Sequence, residues 1–497
     1  MMPLDILLSS NLNTPWNVCI TALTFAVIYY ILKNRGLPPG PFGLPYIGYW
    51  PFLKTATCHL QLQELGKKYG EVYSFRTTGK LLVNLCSFRA NKEAFITKSE
   101  CFSDRLKDYN IATVLFRGSV LFLNGESWKV NRKFFSQQFR ERGMSSIKGE
   151  SCGPIYDAIK ETLEVLRQKN GEPLDFISLL TDKCTTVLFR TCFGENGISS
   201  QEIRELNENY AKMTENITGP NLLLSGTVAK YFIMPLMPSF RSMHKYATIM
   251  ENMLYDIIKR HRSTFNEDNI RNLIDAYLME EKVRKSKNDP TAQYFTDHIL
   301  AGSLIQFIGD GVLAVAIFIS AFCDTLLEHP EEEEKIYKEL MYGVGTERDP
   351  IIEDKNQLPY TNAFILEMMR MSNSFPFFAK AECTKETTIK GYRIPKGAVM
   401  IMNSWASHFD PEVFEEPEKF NPSRYLQKEG QKKAELPILF GLGKRSCLGE
   451  GFTMAQVFLF LTTIVKHFRL STPVKSKDDE FLFFTAKMIM SAKPRNE

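Results

Sequence analysis

Cys447 lies in the run Phe440-Gly441-Leu442-Gly443-Lys444-Arg445-Ser446-Cys447-Leu448-Gly449, between two glycines and two residues after a cation. A thiolate is both a metal ligand and a nucleophile, and a nearby cation, a metal or oriented backbone N–H groups lower its pKa. This loop can supply all three. Gly443 and Gly449 let the backbone bend with positive φ and aim amides at the sulfur, while Phe440 shields it from water. A lone cysteine in a turn is more often an inert buried thiol, but so many constrained neighbours shift the balance toward a ligand.

Two other spacings carry charge chemistry. In Glu126-Ser127-Trp128-Lys129-Val130-Asn131-Arg132, the tryptophan and the arginine stand four apart and share one helix face. An indole N–H beside a guanidinium is a donor pair suited to a carboxylate, although alone it is more often a surface cation–π contact. Glu367 and Arg370 stand three apart on a helix, commonly a solvated salt bridge of little worth.

The segment from Phe440 to Gly449 resembles, without mismatch, the haem-binding signature F-x-x-G-x-R-x-C-x-G of the cytochrome P-450 superfamily. The resemblance implies haem b (iron protoporphyrin IX), with Cys447 as axial iron ligand and Phe440, Gly441, Arg445 and Gly449 in the cofactor-binding loop. Trp128 and Arg132 then resemble the family's W-x-x-x-R, whose donors hold a haem propionate, and Arg445 would contact the other propionate or its neighbour. Leu358-Pro359-Tyr360-Thr361 leads into Glu367-Met368-Met369-Arg370, which resembles the E-x-x-R helix, and Phe420-Asn421-Pro422-Ser423-Arg424-Tyr425 resembles the segment whose arginine joins that pair. Glu367, Arg370 and Arg424 are therefore expected as a buried structural network behind the haem. The apolar stretch Glu450 to Phe460 resembles the helix under the haem. The likeness runs from an N-terminal anchor nearly to the C-terminus and is nearest to the microsomal branch.

The sequence departs from that pattern in two places. The long helix crossing the distal face of haem usually carries a Gly, then an acid and a Thr that relay protons during dioxygen activation. Counting back from Glu328-His329-Pro330, which resembles that helix's exit, puts Leu313 at the acid and Ala314 at the alcohol. From Gly311 to Ile319 no side chain has a hydroxyl or a carboxylate. Asp310, one turn before Ala314 on the same face, is the nearest ionisable residue and a candidate replacement, although a structural or substrate-contacting role competes. The second departure follows Arg370, where the family often has Arg or His facing a propionate; here Lys380 is the substitute on offer.

At 497 residues and 44% hydrophobic, the chain can bury a large core. A formal net charge of +4, without a long Lys/Arg block, excludes nucleic acid as an expected partner. Ten cysteines at irregular intervals read as buried thiols in a reducing compartment. The sequon Asn216-Ile217-Thr218 would be used only on a lumenal face. From Trp16 to Leu32 the chain carries no charge and is dominated by Ile, Leu, Phe and Val, about the minimum length for a spanning helix. A cleaved signal peptide is the competing reading, but no basic n-region precedes this stretch and no small-residue cleavage site follows it. Lys33 and Arg35 follow while Asp5 precedes, which places the bulk of the protein in the cytoplasm. Pro38-Pro39-Gly40-Pro41 then resembles a proline-rich hinge.

The expected organisation is a lumenal tail at 1–15, a transmembrane anchor at 16–32, a hinge at 33–51 and a single catalytic domain at 52–497. Helical periodicity marks Leu60 to Leu65, Ile155 to Leu166 and Met250 to His261. Val72-Tyr73-Ser74-Phe75 and Leu81 to Leu85 predict one hairpin, and Ile394-Pro395-Lys396-Gly397 predicts the turn of another leading into Val399 to Met402. The fold class is mainly α with a small β region, the P-450 fold.

The resemblance draws a substrate pocket from Arg105 to Phe122, Leu222 to Phe240, Leu304 to Ala314, Phe375 to Phe378 and Phe481 to Thr485. These Phe-, Leu- and Ile-rich stretches favour an apolar substrate such as a lipid, steroid, terpenoid or xenobiotic. Leu222 to Leu224 and Tyr231 to Met237 are equally readable as core or as segments dipping into a bilayer. Lys129, Lys133, Arg140 and Arg142 suggest a face for NADPH cytochrome P-450 reductase, with cytochrome b5 a further partner. The expected activity is a haem-thiolate monooxygenase of the endoplasmic reticulum membrane, using O2 and electrons from NADPH. A reductase-independent isomerase or dehydratase of an oxygenated lipid is the alternative that Leu313 and Ala314 raise, with a haem sensor or carrier as a third reading.

Overall fold

Apolar residues recurring at helical spacing put most of the chain into helices, and short β-branched and aromatic runs pair into three small sheets. The structure, a computed structural model, describes residues 15–107, 110–142, 153–194, 197–215, 217–372, 375–426, 434–471 and 488–495. Its longer helices are α1 (Pro15–Asn34), α2 (Cys58–Tyr69), α3 (Gly125–Glu141), α4 (Gly153–Lys169), α5 (Phe176–Phe193), α6 (Ser200–Thr214), α7 (Pro238–Ser263), α8 (Leu273–Ser286), α9 (Asp297–Glu328), α10 (Pro330–Gly343), α11 (Pro359–Met371) and α12 (Glu450–His467). The strands are β1 (Val72–Thr77), β2 (Lys80–Leu85), β3 (Leu174–Asp175), β4 (Phe378–Glu382), β5 (Thr387–Ile389), β6 (Tyr392–Ile394), β7 (Val399–Met402), β8 (Phe468–Ser471) and β9 (Ile489–Pro494).

β1 and β2 form the hairpin read from the sequence, with Val72 opposite Leu85 and Thr77 opposite Lys80. The second predicted hairpin does not form. β6 pairs with β5, whereas β7 runs parallel to β2 and antiparallel to β4 in a sheet ordered β1-β2-β7-β4. All four residues of β7 are buried, so it needs partners on both edges, and Gly397 at φ 84° turns the chain out of one sheet into the other.

α9 is the central helix. Every residue from Ile299 to Ile308 is buried, and α5 and α12 pack against its second half. α9 is long and apolar enough to cross a membrane, but 67% of its most apolar window is buried within the protein, so it is a core helix. A Cβ on Gly302 would lie 2.1 Å from the Arg117 carbonyl oxygen, so α9 crosses the 117–121 segment in direct backbone contact. Ser303 Oγ and Gln306 Oε1 accept from the Val120 and Leu121 N–H groups at 3.0 and 3.2 Å, fastening that segment to the helix.

Candidate active site

Cys447 occupies the turn that feeds α12. Its N–H donates to the Phe440 carbonyl at 2.8 Å, and the Gly449 N–H donates to its sulfur at 3.3 Å. Gly441 and Gly443 adopt φ of 77° and 70°, and a Cβ on Gly443 would lie 2.0 Å from the Phe95 carbonyl oxygen. Gly449 differs from the expectation of positive φ. Its φ is −94°, open to any residue, because it caps the N-terminus of α12 and contributes its amide instead. Phe440 packs at a tilt against Phe318 of α9, with ring centroids 6.0 Å apart.

The Cys447 side chain keeps accessible surface, yet burial dominates its surroundings and pushes the thiol up to about 11 against the Gly449 N–H, which favours the thiolate. Both hold only if the sulfur opens onto a hollow inside the protein. Asp310 of α9 has the same character: accessible surface, but a carboxyl that burial pushes up to about 6. Its charge is among the causes that raise the Cys447 thiol. A buried thiol held neutral by desolvation becomes a thiolate when a metal cation binds it.

Trp128 and Arg132 of α3 come together with Arg445 and with Arg105, which sequence reasoning placed only at the edge of the pocket. Arg132 donates to the Ser446 carbonyl at 2.7 Å. Arg445 donates to the carbonyls of Ser103 and Leu123, each at 2.7 Å, and to Asn124 Oδ1 at 3.1 Å. Arg105 donates to Leu121 at 3.1 Å and is 3% exposed. Burial, then mutual repulsion, holds Arg105 and Arg445 well below the usual guanidinium range, Arg132 being the neighbour of Arg105 and Arg105 that of Arg445. Among the described residues no carboxylate forms an ion pair with Arg132 or Arg445, and the Trp128 Nε1 donor is buried without a partner. Crowded cations and an orphaned donor are the complement of an anion. The residues present therefore fit haem, whose two carboxylates these donors would hold and whose iron Cys447 would take. Nothing in the spacing of Arg105 announced it, because it arrives by tertiary packing.

On the distal side, α9 widens into a π-helical stretch at Gly309–Ala314. A Cβ on Gly309 would lie 2.1 Å from the Tyr210 hydroxyl, so the α6 phenol rests directly on the widened turn. Leu313 and Ala314 are half-buried here, and neither can pass a proton. Asp310 Oδ2 accepts from Gln306 Nε2 at 3.0 Å.

Behind the cysteine loop, Arg370 forms a two-pronged pair with Glu367, 2.9 Å at each contact, and Arg424 Nε donates to the same carboxylate at 3.0 Å. The Asn421 N–H and the His408 carbonyl complete the set at 2.8 Å each. Glu367 and Arg370 side chains are 0% exposed. Lys380 lies at the bulge of β4 against β7, and its side chain falls outside the described residues, as do Phe481 to Thr485 and Asn216. Of the other predicted pocket segments, Leu106, Asn110, Phe122, Leu222, Phe377 and Phe378 line a small apolar cleft. Leu223 and Leu224 are core, whereas Tyr231, Phe232 and Leu236 are exposed.

A mainly helical body with a small sheet, closed around a thiol and a set of carboxylate-seeking donors, fits a haem-thiolate enzyme. The cytochrome P450 family model matches residues 38–496. Similar curated proteins include cytochrome P450 2C70 of Rattus norvegicus (30% identical over 470 residues, 93% of each chain). Cytochrome P450 2U1 of Bos taurus is 28% identical over 477 residues, 90% of this chain and 86% of that one. Cytochrome P450 2A6 of Homo sapiens is 27% identical over 469 residues, 93% of each. The chain belongs to the cytochrome P450 family, in its microsomal branch. It is a haem-dependent monooxygenase that uses haem b, O2 and electrons from NADPH, and the comparisons lend no support to an isomerase or dehydratase.

Proposed function

We propose that this protein is a membrane-anchored monooxygenase that places one oxygen atom of O2 on an apolar small molecule, with electrons delivered by NADPH cytochrome P-450 reductase. The observation that carries the reading is the pairing of an interior thiol with an orphaned Trp128 N–H among crowded guanidinium groups. Cys447 would hold the haem iron, and haem bound through a thiolate would supply electron density that favours O–O cleavage. Trp128, Arg132, Arg445 and Arg105 hold and orient the carboxylates, while Phe440 and the apolar face of α9 exclude water. The substrate chamber includes the cleft between the 105–122 segment, Leu222 and Phe377 and Phe378, and its apolar lining favours a lipid, steroid, terpenoid or xenobiotic.

Lys129, Lys133 and Arg140 are exposed along α3, next to the cysteine loop that carries the exposed Lys444. This basic face suits an acidic reductase, and cytochrome b5 as a second donor. α1 exposes Ile20, Leu23, Phe25, Ile28 and Leu32, consistent with a single spanning helix of the endoplasmic reticulum membrane and a catalytic domain in the cytoplasm. The exposed Phe42 and Tyr46 on one side, and Tyr231, Phe232 and Leu236 on the other, flank the β1–β2 turn, which bonds to Ile47 and to Leu223. They would rest on the same bilayer.

The test is reconstitution with reductase. A ferrous–CO spectrum of the thiolate type, with 18O from 18O2 appearing in a product only when NADPH is present, supports the reading. Product formed from a hydroperoxide without NADPH or reductase, and none with them, defeats it.

A further inference from the structure

Phe378 of β4 belongs to two parts of the site at once. Its ring lines the apolar cleft with Leu106, Phe122 and Phe377, and the Arg105 guanidinium carbon lies over that ring, 5.5 Å from its centre. The backbone around both residues is fixed. The Glu382 N–H donates to the Asp104 carbonyl at 2.9 Å and the Lys107 N–H to the Glu382 carboxylate at 3.0 Å, which fastens the chain to β4 on either side of Arg105. The Arg105 N–H donates to Asn124 Oδ1 at 2.7 Å, and its carbonyl accepts from Asn124 Nδ2 at 3.1 Å. β4 shifts register against β7 between Ala379 and Ala381, and such a bulge re-aims the side chains beside it. The guanidinium itself is crowded. Its Nε donates to the Leu121 carbonyl at 3.1 Å, and Arg445 donates to the same carbonyl at 3.5 Å, so two like charges meet in a buried space and push apart. An aromatic face stabilises such a cation without neutralising it, which leaves the charge available to an anion.

We propose that Phe378 is a positioning residue: its ring holds the Arg105 guanidinium in place for a haem carboxylate, and so ties retention of haem to occupancy of the cleft. The inference rests on the reading of the guanidinium cluster as the holder of those carboxylates. Without the ring, repulsion lets the guanidinium swing away, and haem binding must draw it back at a cost in affinity. An apolar molecule packed in the cleft bears on the same ring and restricts it. Such coupling is reciprocal, so a ligand that strengthens the hold on haem is itself bound more tightly when haem is present.

The test uses the full haem-loaded protein, with transfer of haem to an excess of a haem-free globin as the readout and butylbenzene as the apolar probe. Phe378→Leu keeps an apolar side chain in the cleft but removes the ring, and should lose haem about fivefold faster or more. Phe378→Tyr keeps the ring and should stay within about twofold of wild type. In an Arg105→Gln background the leucine substitution should add nothing. Butylbenzene should slow haem loss from wild type and leave Phe378→Leu unaffected. The proposal is overturned by a Phe378→Leu protein that keeps haem as wild type does, by the same acceleration in the Arg105→Gln background, by Phe378→Tyr losing haem as fast as Phe378→Leu, or by butylbenzene protecting Phe378→Leu as much as wild type. An Arg105→Gln protein that retains haem like wild type removes the cluster reading and the proposal with it. Failure of the monooxygenase reading shows elsewhere, as a wild-type ferrous–CO spectrum without thiolate character or as no NADPH-dependent product.

Discussion

The Arg445 guanidinium carbon lies 3.7 Å from the centre of the Trp128 ring, while the indole N–H of that ring is buried with no hydrogen-bond partner. The ring face is occupied by a cation, so only its edge remains to meet a ligand. Trp128 thus serves two purposes: its face stabilises a crowded arginine, and its N–H is held ready for a carboxylate.

Trp128→Phe separates the two. The face survives and the N–H goes, so the haem-free protein should be equally stable or gain about 1 kcal/mol from losing an unsatisfied donor. Haem should nevertheless be held more weakly. Urea unfolding of the haem-free protein and the haem-to-protein ratio after dialysis measure the two effects, and weaker haem retention without loss of haem-free stability is the expected pattern. Equal losses in both would show the tryptophan to be structural only.

Cys447→Ser should fold normally, because the sulfur's polar contact in the protein is one 3.3 Å hydrogen bond from the Gly449 N–H. Circular dichroism should match wild type, while the ferrous–CO spectrum loses its thiolate character and NADPH-dependent product formation stops. A thiolate-type spectrum in this variant would remove Cys447 from the axial position.

Glu367 accepts from Arg370, Arg424 and the Asn421 N–H at full burial, so its loss strands Arg370 and removes the partner of Arg424. Glu367→Ala should cost about 3–5 kcal/mol or abolish folding. Arg424→Lys, at a residue 9% exposed, should cost less and keep the haem spectrum of whatever protein folds. Thermal unfolding and soluble yield decide it, and a Glu367→Ala protein within about 1 kcal/mol of wild type would contradict the buried network.

How much of this was legible in the sequence depended on whether a feature is local. Cys447, Arg445 and Phe440 lie in one loop, and Trp128 and Arg132 lie on one helix turn, so spacing alone brought them together. Asp310 stood out because an acid in an apolar run needs a reason. Tyr210 was not readable as a site residue, and Arg105 and Gln306 were read only as members of pocket segments: their contacts run between α6, α9 and the 105–124 segment, which no local pattern encodes. The turn at Ile394–Gly397 was read as a hairpin because the strand signals on either side are real, but which strand each one joins is a tertiary decision.

His408 predicts acid sensitivity. Burial, then the nearby Arg370 charge, pushes its imidazole down to about 3 from 6.5, and His59 is pushed down to about 4 by burial. Both are depressed in the folded protein, so between pH 6.5 and those values the unfolded chain binds more protons. Stability should therefore fall as pH drops through that window, by up to about 1.4 kcal/mol per pH unit for each histidine. His408→Gln, which keeps an acceptor near the Ile438 N–H that His408 Nε2 now meets at 2.9 Å, should flatten the decline by about one histidine's share. Urea unfolding of both proteins between neutrality and mild acid measures the slopes, and parallel slopes would show His408 to be protonated in the native state.

The widened turn of α9 makes the last prediction. A methyl added at Gly309 would lie 2.1 Å from the Tyr210 hydroxyl and 2.2–2.3 Å from two ring carbons, so Gly309→Ala must displace the ring or the helix. Overpacking of this kind costs about 1–3 kcal/mol. Tyr210→Ala empties the same space, and for a large aromatic that costs about 3–5 kcal/mol. The double variant should cost less than the sum, since the methyl enters room that the ring has left, and the coupling should fall in the range of about 0.5–3 kcal/mol seen for touching residues. Additive stabilities in the cycle would mean that Tyr210 does not rest on Gly309.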